Sequence, residues 1–277
     1  AALAGEGSSV CGVELSKDIE ATLRCIDALG IGYEKKGNVI SFGKKKDTSC
    51  LMQRIFDCNE SGSTLRFFIP IALADGVQTE FVGTKRLLSR PLDVYEEILK
   101  EQGIFFHHTE ESFTVEGKLK GGEYFVKGDI SSQFITGLLL ALPLLGGGVV
   151  NVTGQVESRP YIEMTLSAME SFGINVERIK ESSYRVFGKY HPRSVKVEGD
   201  WSNAAFLDAL GLIGGNVTVT GLDAQSLQGD KIYKEYFEKK AQVDFANSPV
   251  NIYEVHLGSF RCPEEKTEDG EQTFYNF

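Results

Sequence analysis

The chain has 277 residues, of which 42% are hydrophobic and 25% are charged, and it can bury one large core or two modest ones. Its net charge of −10 argues against a nucleic-acid partner, which needs a basic face, but not against a small anion bound in a locally positive pocket. The longest apolar run contains Gly137 and Pro143 and falls short of the roughly 18 residues of a membrane span, so no membrane association is predicted.

A unit of about 70 residues repeats from residue 1 to about residue 240. Each copy predicts a strand, a helix, one or two further strands, a second helix and a closing strand. The glycine after the opening strand recurs at nearly constant spacing, at Gly12, Gly83, Gly154 and Gly221. Several other landmarks share this period, so a chance rhythm of glycines is a poor explanation.

The first helix of each copy is predicted to be amphipathic and to end at a Gly-Ile pair. The pair begins at Gly30, Gly103 and Gly173, again at the period of the repeat. A glycine followed by an apolar residue is a common way to end a helix. Apolar residues recur at helical spacing in the first two copies: Ile19, Leu23, Ile26 and Leu29, then Tyr95, Ile98 and Leu99.

The second helix of each copy is almost wholly apolar, and is therefore expected to be buried, and it follows a serine. These serines are Ser61, Ser131 and Ser202, which keep the period of the repeat when the Ser131-Ser132 pair is matched. A helix N-terminus offers free N–H groups and partial positive charge, which suit a phosphate or carboxylate. Taken singly, each serine reads as an ordinary cap. Their equivalent positions favour a shared anion site.

Ser-Arg-Pro occurs where the first helix of two copies begins, at residues 89–91 and 158–160. Proline is favourable in a first helical turn, and an arginine held there can pair with a carboxylate or phosphate. The fourth copy has Gln228-Gly229-Asp230 instead. Asp230 is either a helix cap or, beside a phosphate site, a general base.

The chain resembles the 3-phosphoshikimate 1-carboxyvinyltransferase (EPSP synthase) family over residues 1 to about 240. The segments that carry the resemblance are ESGSTLRFFIPIALADG, RLLSRPL, GDISSQFITGLLLALPLL, ESRPYIEMT and SLQGD. SSQF and SRPYIEMT favour this family over the related UDP-N-acetylglucosamine enolpyruvyl transferases. The resemblance implies an α/β fold of repeated βαβαββ units, with a nearly complete first domain at residues 1–192 and a partial second domain at residues 193–243.

The resemblance also implies an enzyme of the shikimate pathway. The family transfers the enolpyruvyl group of phosphoenolpyruvate to the 5-hydroxyl of shikimate 3-phosphate, with no metal and no cofactor. We expect a monomer with these two small-molecule substrates, no nucleic acid and no membrane, in the cytoplasm or, if the source is a plant, in the plastid. The alternatives are a non-catalytic fragment that binds shikimate 3-phosphate and a relative of the UDP-N-acetylglucosamine enzymes.

The family's functional residues can be transferred motif by motif. The resemblance places shikimate 3-phosphate on Ser131, Ser132, Gln133, Ser158, Tyr161 and Asp230. It places phosphoenolpyruvate on Gly62, Arg90 and Gln133, with Arg66 supporting the glycine loop. Asp230 is the implied proton-transfer carboxylate, and Gly62 is the residue that the family's inhibitor glyphosate would contact.

The phase of the repeat leads us to expect that the chain is cut in mid-unit at both ends. The serine before the first apolar helix is expected well before Ala1, and the repeat stops at about Lys240. Several of the family's cationic substrate ligands find no match here. We therefore expect no turnover from this polypeptide alone, since each well-placed donor contributes roughly 10²–10³ in rate.

Residues 244–277 are expected to be an unrelated tail, either strand-like or disordered. SPVNIYEVHLGSFR, at residues 248–261, resembles the start of the catalytic barrel of 1,4-α-glucan branching enzymes. None of that family's catalytic carboxylates is present, so no glucan activity is inferred. We expect a fusion between about Lys240 and Ser248, which would make the chain chimeric.

Overall fold

A computed structural model of the chain describes residues 1–48, 50–156, 158–212 and 216–241. Contacts divide the chain into two compact units, residues 1–231 and residues 232–277. The described part of the second unit contains helix α8, Tyr233–Ala241, in which the rings of Tyr233 and Phe237 meet edge to face. Across the described residues, no helix is long and apolar enough to cross a membrane. The predicted tail at residues 244–277 lies outside the described residues.

Three four-stranded sheets, one for each repeat copy, organise residues 1–196. The first sheet and its helix consist of β1 (Ser9–Cys11), α1 (Lys17–Ala28), β2 (Ile31–Lys36), β3 (Val39–Lys45) and β12 (Ser194–Lys196). The strand order in this sheet is β12-β1-β3-β2. Strand β12 returns from far along the chain to pair in parallel with β1, with Ser9 opposite Ser194.

The second and third sheets repeat one pattern, a parallel pair followed by an antiparallel hairpin. Their orders are β4-β5-β7-β6 and β8-β9-β11-β10. The second sheet and its helices comprise β4 (Gln53–Asp57), α2 (Gly62–Ala72), β5 (Gln78–Val82), α3 (Lys85–Leu88), α4 (Asp93–Gln102), β6 (Phe105–His108) and β7 (Ser112–Glu116). The third sheet and its helices comprise β8 (Glu123–Lys127), α5 (Ser132–Ala141), β9 (Gly148–Thr153), α6 (Arg159–Ser171), β10 (Asn175–Lys180) and β11 (Ser183–Phe187). The predicted α/β repeat is confirmed.

The predicted helix ends are confirmed by their backbone geometry. Gly103 takes a left-handed φ of 67°, and the Ile104 N–H donates to the Leu99 carbonyl at 2.9 Å, closing the last turn of α4. Gly30 and Gly173 take φ values of 88° and 83°. Side chains at this conformation would be strained, so the repeat spacing of these glycines follows from the repeated helix ending.

The two apolar helices α2 and α5 pack against each other in the core. Gly137 of α5 makes this possible, because a Cβ there would lie 2.6 Å from the Arg66 carbonyl oxygen of α2. The facing helix surfaces are buried, with Leu65, Phe134 and Leu138 each 1% exposed. Burial of such side chains supplies roughly 1.5–3 kcal/mol each. The sequence prediction that these helices are buried is confirmed.

Helix α7, Trp201–Leu212, is the third apolar helix, and it differs from the other two. Its side chains at Phe206, Leu207 and Leu210 are 78%, 48% and 46% exposed. The prediction that Ser202 caps it is wrong, because Asp200 Oδ1 accepts from the Ser202 N–H at 2.8 Å. Aspartate and serine cap equally well, and here the aspartate stands two residues earlier.

Candidate active site

Helices α2 and α5 both begin with a serine cap. Ser61 Oγ accepts from the Thr64 N–H, and Ser131 Oγ accepts from the Gln133 N–H, each at 3.3 Å. Since the two helices pack together, their N-terminal ends add partial positive charge to one region. The predicted grouping of serine-led helix starts is confirmed for these two helices.

Gly62, the first residue of α2, lies directly against the guanidinium of Arg90. A Cβ at Gly62 would stand 2.5 Å from Arg90 Nη1 and 3.7 Å from Gln133 Oε1. Arg90 follows α3 in the loop that leads to α4, and its backbone N–H donates to the Leu87 carbonyl at 3.1 Å. The glycine is therefore required by close approach of a cation.

Arg66, one turn along α2, connects the two helix starts. Its Nη1 donates to Gln133 Oε1 at 2.7 Å, and its guanidinium lies over the Phe134 ring, 4.8 Å from the centroid. Burial, and then repulsion from Arg90, lower the pKa of Arg66 below its ordinary value, against an opposing effect of Tyr95. Arg66 Nε is buried and has no hydrogen-bond partner among the described residues. Two neighbouring cations with spare donors suit an anionic ligand.

A cleft of about 610 Å³ opens beside these helix starts. Ser131, Ser132 and Gln133, where α5 begins, and Tyr161, near the start of α6, line this cleft, with the Tyr161 side chain 54% exposed. Sequence reasoning gave no role to the remaining lining residues, which lie within about two helical turns of Gly62, Gln133 or Tyr161: Ser63, Phe67, Thr136, Leu140, Met164, Thr165 and Ala168. Helical spacing from the two serine caps and from Tyr161 is the signal that could have found them.

The two Ser-Arg-Pro segments have different surroundings. Arg90 lies on Gly62, whereas Arg159 Nη2 pairs with Glu181 Oε1 at 3.1 Å on the surface. Ser158 precedes α6 and makes no side-chain cap hydrogen bond, which leaves its hydroxyl available at that helix start. The structure thus distinguishes two arginines that the sequence pattern treats alike.

Asp230 lies in a 3-10 turn at Gly229–Ile232, where it contacts the Ser202 hydroxyl. Gln228 Nε2 donates to Glu198 Oε1 and to the Gly199 carbonyl, both at 2.9 Å, which fixes the segment before the turn. A Cβ at Gly229 would lie 2.9 Å from Pro160 Cγ, so the turn packs on the start of α6. Asp230 thus directly follows a residue that packs on Pro160, and Pro160 lies between Ser158 and Tyr161 in the sequence.

Tyr95 is a buried supporting residue that sequence reasoning placed only on the apolar face of α4. Its hydroxyl donates to the Arg66 carbonyl at 2.7 Å and also lies 3.2 Å from the Phe134 carbonyl. Burial raises the pKa of this hydroxyl well above its usual value, so it stays a donor. One phenol thus donates to a carbonyl of α2 and also contacts a carbonyl of α5.

No cluster of three or more His, Cys, Asp or Glu that could hold a metal ion occurs within the described residues. The cationic atoms of the site are supplied by arginine side chains, with backbone N–H groups at the helix starts. Such groups bind phosphate and carboxylate oxygens directly.

The model of the EPSP synthase (3-phosphoshikimate 1-carboxyvinyltransferase) family matches residues 1–259, which extends past the predicted end of the repeat near Lys240. A Clostridium perfringens (strain SM101 / Type A) protein named 3-phosphoshikimate 1-carboxyvinyltransferase is 38% identical over 282 residues, covering 95% of this chain and 65% of its own length. A Clostridium kluyveri protein of the same name is 41% identical over 241 residues, covering 84% of this chain and 55% of its own length. The chain thus spans between 55% and 65% of these two curated relatives.

Among solved structures, one titled as an EPSP synthase from Acinetobacter baumannii at 2.37 Å superposes with a TM-score of 0.59. The two chains share 22% sequence identity, and the match covers 73% of this chain and 46% of the other. At this identity the likeness supports the fold alone.

Proposed function

Because the chain belongs to the EPSP synthase family, we propose that it carries the shikimate 3-phosphate site, and part of the phosphoenolpyruvate site, of a 3-phosphoshikimate 1-carboxyvinyltransferase. That reaction moves the enolpyruvyl group of phosphoenolpyruvate to the 5-hydroxyl of shikimate 3-phosphate and releases phosphate. The observation that carries the proposal is the meeting of Gly62, Arg66, Arg90 and Gln133 where α2 and α5 begin.

Shikimate 3-phosphate would bind in the cleft between α5 and α6. Ser131 and Ser132 offer hydroxyls and helix N–H groups to its phosphate, and Gln133 offers its amide. Tyr161 also lines the cleft, and Ser158, two residues before Pro160, provides a further hydroxyl where α6 begins. The described residues that line this cleft carry no acidic side chain, which suits a ligand with a phosphate and a carboxylate.

Phosphoenolpyruvate would bind against Gly62, where the absence of a side chain lets it approach Arg90. Arg90 provides charge and two parallel donors for a carboxylate or phosphate. Gln133 is shared between the two substrates, since it contacts Arg66 on one side and lines the cleft on the other. Arg66 holds the side-chain oxygen of Gln133 and thereby fixes how the Gln133 side-chain amide is oriented toward the ligand.

Asp230 would take the proton of the attacking 5-hydroxyl. A carboxylate held within hydrogen-bond reach of a hydroxyl can act as the general base for this step. Its present contact, the Ser202 hydroxyl, keeps it at the start of α7 beside the α6 helix start.

A calorimetric titration with three ligands tests the binding part of this proposal. Shikimate 3-phosphate is expected to bind, while shikimate and inorganic phosphate, each with half of the charged groups, bind at least about tenfold more weakly. Equal affinity for shikimate and shikimate 3-phosphate would contradict the assignment of Ser131 and Ser132 to the phosphate.

Binding of shikimate 3-phosphate without turnover is the second candidate function. The expectation that this polypeptide alone shows no turnover stays a prediction. Steady-state phosphate release from the two substrates decides it, and a rate typical of enzymes, about 1 s⁻¹ or more, would contradict it. A monomeric state is likewise proposed. The glucan-branching resemblance lies outside the described residues and supports no activity.

A further inference from the structure

His108, the last residue of β6, has both ring nitrogens within hydrogen-bond distance of acceptors. Nδ1 lies 2.9 Å from Glu96 Oε1 of α4, and Nε2 lies 2.8 Å from the Leu88 carbonyl at the end of α3. The His108 and Glu96 side chains are 25% and 20% exposed, so their contact is only partly open to water. The ring of Phe113 from β7 packs edge to face on the imidazole, 5.3 Å away.

This pair of contacts is complete only when the imidazole is protonated. A carbonyl oxygen and an ionised carboxylate accept hydrogen bonds and donate none, so each nitrogen must carry a hydrogen. A neutral ring has one N–H and therefore loses either the Glu96 or the Leu88 bond. Histidine is the side chain whose charge changes most readily near neutral pH.

The Leu88 carbonyl connects this histidine to the proposed site. Leu88 ends α3, and the next residues are Ser89, Arg90 and Pro91, which form the loop over Gly62. On the far side of this loop Arg66 Nη2 lies 3.5 Å from the Pro91 carbonyl. The loop that carries Arg90 is thus held between His108 before it and Arg66 after it.

The charged groups on the elements around the ring include one carboxylate in direct contact. This is Glu96 on α4, with Asp93 and Lys100 one turn away on the same helix, and α3 carries Lys85 and Arg86. The equivalent position of the next repeat unit, counted from the helix-ending glycine, is Arg178, which pairs with Glu163 of α6 at 2.7 Å. A permanent cation there contacts a carboxylate of the preceding helix, as His108 contacts Glu96.

We propose that the His108 imidazolium is the positioning residue that fixes the Arg90 loop over Gly62, so that phosphoenolpyruvate affinity falls as His108 loses its proton. The structural part stands on the contacts of His108 alone. The ligand part rests on the proposed function of the Arg90 site. His108 touches neither substrate in this scheme and acts only through the Leu88 carbonyl.

Proton–nitrogen correlation spectra of the ligand-free chain, recorded from about pH 5.5 to about pH 8.5, test the structural part. The backbone amides of Ser89, Arg90 and Gly62 are expected to shift with the same midpoint as the His108 ring nitrogens. In His108→Gln these shifts disappear. His107→Gln is the matched control, because His107 is the exposed neighbour on the same strand. Chemical shifts of the Ser89 and Arg90 amides that do not change with the His108 titration would overturn the proposal.

Titration of phosphoenolpyruvate into the chain saturated with shikimate 3-phosphate tests the ligand part. The dissociation constant is expected to rise about threefold to tenfold across the His108 midpoint in the parent and in His107→Gln. His108→Gln should bind phosphoenolpyruvate weakly at both ends of the pH range. His108→Arg, chosen by analogy with Arg178, should bind it with an affinity that does not depend on pH. A pH dependence in His108→Gln equal to that of the parent would overturn the proposal. Coupled amide shifts without any substrate binding would instead reject the proposed function and leave the positioning role supported.

Discussion

Arg66 Nη1 donates a hydrogen bond to Gln133 Oε1 at 2.7 Å, joining two residues on neighbouring buried helices from different repeat copies. The repeat thus builds one site from two copies of the same helix start. The cation of one copy orients the amide of the other. The remaining donors of Arg66 and Arg90 are left for a ligand.

Gly62→Ala is expected to weaken phosphoenolpyruvate binding by about tenfold or more. The added Cβ would stand 2.5 Å from Arg90 Nη1, so the guanidinium must move from its present position. A misplaced bidentate donor loses much of a charge-assisted bond, roughly 1.5–3 kcal/mol. The measurement is the dissociation constant in the presence of shikimate 3-phosphate.

Gly32→Ala is the control for that substitution, because a Cβ at Gly32 meets no atom within 4 Å. It should leave the affinity unchanged. Equal losses in the two variants would show that the Gly62 effect does not come from Arg90.

Asp75→Asn is expected to destabilise the fold by about 3–5 kcal/mol, because it leaves the buried Arg54 uncompensated. Both terminal nitrogens of Arg54 reach the Asp75 carboxylate at 2.8 Å, and Arg54 is 5% exposed. Chemical denaturation measures the loss. Glu177→Gln, in the exposed pair with Arg185, should change stability by less than about 1 kcal/mol.

The same pair predicts how stability depends on pH. Burial alone would raise the pKa of Asp75, but the hydrogen bonds and charge of Arg54, helped by the Val77 N–H and Lys45, lower it below 3.8. A carboxylate with a lowered folded pKa stabilises the fold above its unfolded pKa, and this contribution is lost as the pH falls through the folded value. Stability of the parent should therefore fall more steeply below about pH 4 than that of Asp75→Asn. Parallel curves would contradict this.

Tyr95→Phe is expected to lower the free energy of unfolding by about 1–3 kcal/mol. It leaves the Arg66 carbonyl without the phenol donor that lies 2.7 Å away and keeps the ring packed on Phe134. Tyr33→Phe removes an exposed hydroxyl and should change stability by less than about 0.5 kcal/mol. A loss in Tyr95→Phe no larger than that in Tyr33→Phe would show that the hydroxyl does not stabilise the helix pair.

Local sequence patterns were sufficient for the repeated fold and for several residues that the structure brings together. The glycine at each helix end and the serine at each buried helix start act within a few residues, so their spacing alone revealed the period. The motif match then brought Gly62, Arg90 and Gln133 to one place, as the structure has them.

Contacts that join distant parts of the chain could not be predicted in this way. The pairing of β12 with β1, the bond of Tyr95 to Arg66 and the bridge of His108 to Leu88 depend on how units pack, which local periodicity does not encode. Arg159 shows the same limit, since its Ser-Arg-Pro context matches that of Arg90 while its partner is Glu181.

The most direct measurement of the central claim compares two serine caps by calorimetric titration of shikimate 3-phosphate. Ser131 caps α5 in the cleft, and Ser16 caps α1 with the same 3.3 Å bond to a helix N–H. Each alanine variant should lose about 0.5–2 kcal/mol of stability. Ser131→Ala is expected to weaken binding about tenfold or more, and Ser16→Ala to bind like the parent. Equal affinities in all three proteins would contradict the placement of the shikimate 3-phosphate site at the start of α5.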